Sequence, residues 1–145
     1  MRRYNTNSPE ETEALAARLA SKLKGTEVIA MFGGLGAGKT AFTRGLAAGL
    51  GINDGVSSPT FALVHEYSGK FTLYHFDMYR IKTWDDLYST GFFDYQDGGI
   101  LMIEWSENIV DFLPEDRIEI CIRVTGENSR EIEIKGREEY EDLGD

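Results

Sequence analysis

The sequence predicts a three-layer α/β fold, with one mixed central sheet whose antiparallel strands come from the C-terminal part of the chain. Three observations carry that prediction. A glycine loop joins a short apolar run to an apolar helical pattern between Val28 and Leu50. A second apolar run, Gly99-Ile100-Leu101-Met102-Ile103, ends on Glu104. Two alternating segments, Arg117 to Val124 and another through Ile132 and Ile134, flank the turn Gly126-Glu127-Asn128-Ser129. Unbroken apolar runs suit strands buried on both faces, and alternation suits strands with one face covered.

The elements follow in order. Residues 4–7 are polar and fit a short edge strand or a loop. Ser8-Pro9-Glu10-Glu11 is a helix start: Ser8 caps, Pro9 suits the first helical position and Glu11 completes a capping box. Leu15, Leu19 and Leu23 mark one face of that helix, with Ala16 and Ala20 beside it, and Gly25 ends it. Val28-Ile29-Ala30-Met31-Phe32 reads as a buried strand. Phe42, Leu46 and Leu50 then recur every four residues, with Gly51 as the stop. Asn53-Asp54-Gly55 is a turn. Phe61 to Tyr67 reads as a strand, Ser68-Gly69-Lys70 as a hairpin turn, and Phe71 to Phe76 as the return strand ending at Asp77. Residues 82–90 are expected to form a short helix and Gly91 to Gly99 a loop. Residues 136–145 are acidic and expected to fray.

Composition narrows the function classes. A chain of 145 residues fits one domain, residues 1–145, with no internal repeat or linker. With 15 basic and 25 acidic residues, the net charge is −10. Such a chain is a poor lone binder of nucleic acid, whose affinity comes mainly from neutralising phosphates. Cys121 is the single cysteine, so no intrachain disulfide forms and a reducing compartment fits. No apolar run reaches 18 residues, and Met1-Arg2-Arg3-Tyr4-Asn5 leads into polar residues rather than a signal-peptide core. A soluble, cytoplasmic protein without membrane contact is the expectation.

Gly33-Gly34-Leu35-Gly36-Ala37-Gly38-Lys39-Thr40 fits G-x-x-x-x-G-K-[ST], the phosphate-binding loop or P-loop. It lies between a strand and a helix, as that motif requires. Its glycines bring backbone N–H groups against phosphate oxygens, and the helix start adds a positive dipole end. Lys39 places a point charge on the β- and γ-phosphates, and the Thr40 hydroxyl suits Mg²⁺. The stretch Gly33 to Thr40, with Ala41 after it, is therefore the expected nucleotide contact. The fold expected is the three-layer P-loop NTPase fold.

A nucleotide hydrolase also needs a carboxylate near the metal and the γ-phosphate. Asp77 and Glu104 both end strands, where ligands of open α/β sheets bind. Glu104 follows four apolar residues, the Walker B pattern, and is read as holding the metal shell or activating water. Asp77 is the second acid, reaching Mg²⁺ through water. Strand-end acids also serve as helix caps, and Asp77 or Glu104 pairing with Arg80 is the alternative. Ser57, Ser58 and Thr60 sit where a switch loop would sense the γ-phosphate, although Ser-Ser-Pro-Thr alone also suits a turn. Trp105 either walls the site or joins the core. His65 and His75 read as structural, because no Cys/His cluster of zinc spacing accompanies them. Arg44 and Arg80 are candidates for an arginine finger by charge and sequence proximity alone. The chain lacks the Asn/Thr-Lys-x-Asp and Asp-x-x-Gly motifs of GTPases, which favours ATP. It has no arginine between Arg80 and Arg117, so it lacks the lid of a nucleoside monophosphate kinase.

The P-loop Gly-Leu-Gly-Ala-Gly-Lys-Thr, Ser58-Pro59-Thr60, the run Tyr74-His75-Phe76-Asp77-Met78-Tyr79-Arg80, and Ile103-Glu104-Trp105 occur in this order. Together they resemble the TsaE family (formerly YjeE), bacterial ATPases of tRNA threonylcarbamoyladenosine synthesis. The resemblance spans roughly residues 8–135. It implies Mg·ATP binding, slow hydrolysis, and a complex with TsaD and TsaB that modifies N6 of adenosine 37 in tRNA. The tRNA would be held through the partners, which suits an acidic chain. By position, the resemblance gives Lys39 and Thr40 to phosphate and Mg²⁺, Ser58 to Thr60 to the switch, and Asp77 and Glu104 to the acidic site. The family usually has Asp where this chain has Gly34, and often Thr where it has Ala41. A stand-alone small-molecule kinase and a nucleotide-gated binding module with negligible turnover are the alternatives.

Overall fold

The computed structural model describes residues 1–33, 37–53 and 64–144. The chain runs β1 (Arg2–Thr6), α1 (Pro9–Ala20), β2 (Val28–Phe32), α2 (Lys39–Gly49), β3 (Val64–Ser68), β4 (Thr72–Asp77), α3 (Trp84–Ser89), α4 (Phe92–Tyr95) and β5 (Ile100–Glu104). Two 3₁₀ turns, Ser106–Asn108 and Val110–Phe112, lead to β6 (Ile118–Val124), β7 (Arg130–Lys135) and α5 (Glu138–Glu141). Among the described residues the strands form one sheet in the order β1-β7-β6-β2-β5-β4-β3. Its centre is parallel, with β2 between β6 and β5, and β4 beyond β5. Its margins are antiparallel: β3 on β4, and β1 and β6 on β7. The mixed sheet expected from the apolar and alternating runs is the one observed.

Each face of the sheet carries its own core. Ile29, Met31, Ile100 and Met102 pack with Leu15 and Leu19 of α1 and Phe42 and Leu46 of α2. Residues of opposite parity, Ala30, Leu101, Ile103 and Phe76, pack on the other face with Leu87, Phe92, Ile109 and Leu113. Strands β2 and β5 are apolar throughout because both faces are covered. Each large side chain sealed this way contributes about 1.5–3 kcal/mol.

Local chemistry sets the helix ends. Ser8 Oγ accepts from the Glu11 amide at 3.1 Å, and Glu11 Oε1 accepts from the Asn7 amide at 3.3 Å, one residue beyond a capping box's usual partner. Helix α1 ends at Ala20 rather than near Gly25; Leu23 is buried from the turns that follow it. Helices α1 and α2 approach through glycine. A Cβ at Gly45 would stand 2.2 Å from the Glu13 carbonyl oxygen, and one at Gly49 would stand 2.7 Å from the Ala20 Cβ.

Three further expectations change. Residues 92–95 form a helical turn inside the expected loop, because Phe92 is anchored in the core against Phe76. Val124 continues the alternation of Ile118, Ile120 and Ile122 but is exposed at the strand's end. The segment from residue 136 through Gly144 is not frayed. Tyr140 and Leu143 are buried, the Tyr4 hydroxyl donates to the Glu141 carbonyl at 2.6 Å, and the N-terminal ammonium meets Glu141 at 2.9 Å. Two apolar anchors outweigh the repulsion that the acidic composition suggested.

Candidate active site

Strand β2 delivers the glycine loop to the C-terminal edge of the parallel strands. Gly33 has φ +146°, and a Cβ there would lie 2.9 Å from the Ile122 carbonyl oxygen, so the position demands glycine on two grounds. Arg130, the first residue of β7, reaches back across the loop. Its Nε donates to the Ala37 carbonyl at 2.9 Å, and its Nη1 donates to the carbonyls of Gly126 at 3.1 Å and Ser129 at 2.8 Å. The turn between β6 and β7 is thereby tied to the loop. Nothing in the residue pattern singled out Arg130, since only the fold brings it there. Gly34, Leu35, Gly36, Ser57, Ser58 and Thr60 lie outside the described residues, as do Asp54, Gly55 and the first three residues of the expected strand from Phe61.

Lys39 opens α2. Its Nζ is buried, has no hydrogen-bond partner among the described residues, and sits 4.2 Å from the centroid of the Trp105 ring. A cation over an indole face gains about 0.5–2 kcal/mol, which offsets only part of the cost of taking an ammonium out of water. Thr40 and Ala41 follow in the first helical turn, both half-buried. One turn on, the Thr43 hydroxyl donates to the Lys39 carbonyl at 2.9 Å, holding the start of the helix.

The two acids come together through strand register. Asp77 ends β4, Glu104 ends β5, and the two are direct partners across the parallel pair. Asp77 Oδ1 accepts from the Tyr79 amide at 2.9 Å, so it shapes its own turn. Glu104 is buried, and its Oε2 lies 3.6 Å from Nε2 of His75, which is fully buried. Past Glu104 the chain turns sharply, with Trp105 at φ +60°, a rare conformation for a bulky residue. That turn aims the indole at Lys39. The Tyr79 ring meets Trp105 edge-on, 5.0 Å between centroids. Asn108 donates from Nδ2 to the Met78 carbonyl at 2.9 Å and the Tyr79 carbonyl at 3.1 Å, fixing the turn after β4 against the turn after β5.

Lys39, Trp105, Asp77 and Glu104 thus converge at one edge of the sheet. The two arginines do not join them equally. Arg44 is engaged with Glu13 of α1 at 2.8 Å, whereas exposed Arg80 shares a surface hollow with Tyr79, Lys82, Trp105 and Asn108. The two histidines also part ways: Nδ1 of His65 is 3.1 Å from the Tyr67 hydroxyl, while His75 stands behind Glu104. Alternation along β4 held the clue, because residue 75 shares a face with residue 77. The described residues form no cluster of three or more His, Cys, Asp or Glu. A metal here would need hydroxyl, phosphate and water oxygens beside the acids, which suits a hard cation such as Mg²⁺.

Known proteins are similar to this chain in sequence and in fold. The model of the family "Threonylcarbamoyl adenosine biosynthesis protein TsaE" matches residues 6–132. The chain belongs to the TsaE family. The tRNA threonylcarbamoyladenosine biosynthesis protein TsaE of Bacillus subtilis (strain 168) is 42% identical over 132 residues, covering 90% of this chain and 82% of that protein. The TsaE of Treponema pallidum (strain Nichols) is 38% identical over 130 residues, covering 89% and 96%. The crystal structure of Bacillus subtilis YdiB superposes with a TM-score of 0.72 at 38% identity, covering 97% of this chain and 89% of that one. The three-layer fold read from the sequence is therefore that of a TsaE relative, and the family's process is tRNA threonylcarbamoyladenosine biosynthesis.

Proposed function

We propose that this TsaE-family protein binds Mg·ATP and hydrolyses it as the ATPase subunit that supports N6-threonylcarbamoylation of adenosine 37 in tRNA, acting in the cytoplasm with TsaB and TsaD. The observation that carries the ATP reading is the buried ammonium of Lys39, without a hydrogen-bond partner among the described residues, at the first turn of a helix behind a glycine loop. A cation held this way lacks an anion among the described residues, and a polyphosphate would supply one. Lys39 would exchange the Trp105 ring face for phosphate oxygens. Thr40 and Glu104 would hold Mg²⁺, with Asp77 acting through water. When bound, the ion neutralises charge on the phosphoryl oxygens. Glu104 would also orient the attacking water. Gly33 and Ala37 to Ala41 would form the described part of the nucleotide contact. The tRNA would be held by the partners, in keeping with a net charge of −10.

Phosphate release from ATP, by the protein alone and then with TsaB, TsaD and tRNA, tests this reading. The expected result is slow release alone and stimulation by the assembly. Partners that neither bind nor stimulate would remove the assembly from the proposal. A phosphorylated small molecule in place of free phosphate would make the protein a kinase. Glu104→Ala is expected to slow release by at least about 10-fold while changing ATP affinity less. Equal losses would make Glu104 a structural acid.

A further inference from the structure

His75 has no ordinary reason to be where it is. Its side chain is wholly buried in β4, and neither Nδ1 nor Nε2 has a hydrogen-bond partner among the described residues. Buried imidazoles are normally held by a carbonyl, a carboxylate or a metal. Those residues form no metal-ligand cluster around it. Its cross-strand partners are Met102 on β5 and His65 on β3, and β3's imidazole turns to Tyr67 instead. Alternation puts Leu73, His75 and Asp77 on the face that carries α2 and its N-terminal lysine. The Glu104 carboxylate stands beside it, with Oε2 3.6 Å from Nε2.

That separation exceeds a hydrogen bond by a few tenths of an ångström, and a small rotation of the Glu104 side chain closes it. We infer that His75 is the positioning residue of Glu104: its Nε2–H donates to Oε2 and fixes the plane of the carboxylate. The other oxygen is left for the metal or the attacking water. Nδ1 stays unprotonated against the apolar core. A glutamate at the end of a strand is otherwise free to rotate about its three side-chain torsions, and an orienting donor behind it removes that freedom. The arrangement also explains why a polar ring occupies a position flanked by core residues. This inference rests on the reading of Glu104 as the carboxylate of the nucleotide site.

Two measurements test it. In long-range ¹H–¹⁵N spectra of the nucleotide-free protein, with His65→Gln to assign the rings, His75 is expected as the Nε2–H tautomer. Glu104→Gln is expected to move the Nε2 resonance of His75. The Nδ1–H tautomer, or an Nε2 resonance indifferent to Glu104→Gln, would overturn the inference. In the second measurement, His75→Leu is expected to lower phosphate release at least 10-fold with ATP affinity kept within about threefold. His75→Gln, which returns an N–H donor, is expected to recover most of that rate. His75→Leu added to Glu104→Gln should cost nothing further. Equal rates for the Leu and Gln variants, or losses that multiply, would make His75 a packing residue. If the unaltered protein releases no phosphate, the ATPase reading fails, and the tautomer alone then decides whether His75 holds Glu104.

Discussion

The two ends of the sheet handle charge in opposite ways. Around β1, β7 and β6, charges are paired and the arginines are exposed: Arg3 with Glu133, Arg123 with Glu131 and Glu133, Arg2 with Asp142, Arg137 with Asp116. At the edge formed by β2, β4 and β5, Lys39 and His75 are buried, and their nitrogens have no hydrogen-bond partners among the described residues. Exposed pairs add little to stability, because water solvates each partner nearly as well. A buried polar group without a partner lowers stability, and a fold keeps one where binding needs it. The difference between the ends is therefore one of kind: the first balances charge at the surface with little effect on stability, and the second holds polar groups that the proposed nucleotide would satisfy.

Lys39→Met should break that contrast most sharply. Replacing the ammonium by a thioether of similar length is expected to abolish ATP binding by calorimetry. It is also expected to raise the melting temperature of the nucleotide-free protein, because a buried unpartnered polar group costs about 1–3 kcal/mol. Retained ATP affinity would remove the P-loop assignment. Arg130→Ala comes next. It frees the Ala37 carbonyl and unties the β6–β7 turn, and is expected to weaken ATP affinity several-fold and stability by about 1–2 kcal/mol.

Glu27 sharpens the comparison at intermediate size. Burial pushes its carboxyl up, but the Tyr140 hydroxyl and the amides of Gly25 and Lys24 outweigh that, so its pKa falls below the ordinary value. A lowered folded pKa means that the ionised form stabilises the fold. That contribution is complete above the ordinary carboxylate value and is lost as pH falls through the lowered one. Glu27→Gln should therefore lower the melting temperature near neutral pH and converge on the unaltered protein in acid. Arg123→Ala, in the exposed pair network, is expected to leave the melting curve unchanged. A clear shift there would mean that the paired end contributes more than its exposure implies.

Much of this was legible in the residues, for physical reasons. The P-loop spacing, the Ser8 cap and the unbroken apolar run into Glu104 are local, and local chemistry fixes them. Sheet order was not legible, because an apolar run says that a strand is buried and not which strand lies beside it. Arg130 was invisible for the same reason: the Ala37 carbonyl that it holds is far away in sequence. Composition misled at residues 136–144, where Tyr140 and Leu143 decide the packing and the surrounding acids do not. His75 lay between these cases. Its parity along β4 was readable, but its distance from Glu104 depended on how β4 and β5 align.

The glycine contact between α1 and α2 has a mechanical consequence. With the Glu13 carbonyl pressed where a Gly45 side chain would stand, the two helices can neither roll nor slide past each other without collision. Lys39 rides on the first turn of that braced pair. A movement of that lysine relative to β4 and β5 would therefore have to carry both helices with it. The helices serve as the anvil, and the aromatic edge around Trp105 and Tyr79 faces it.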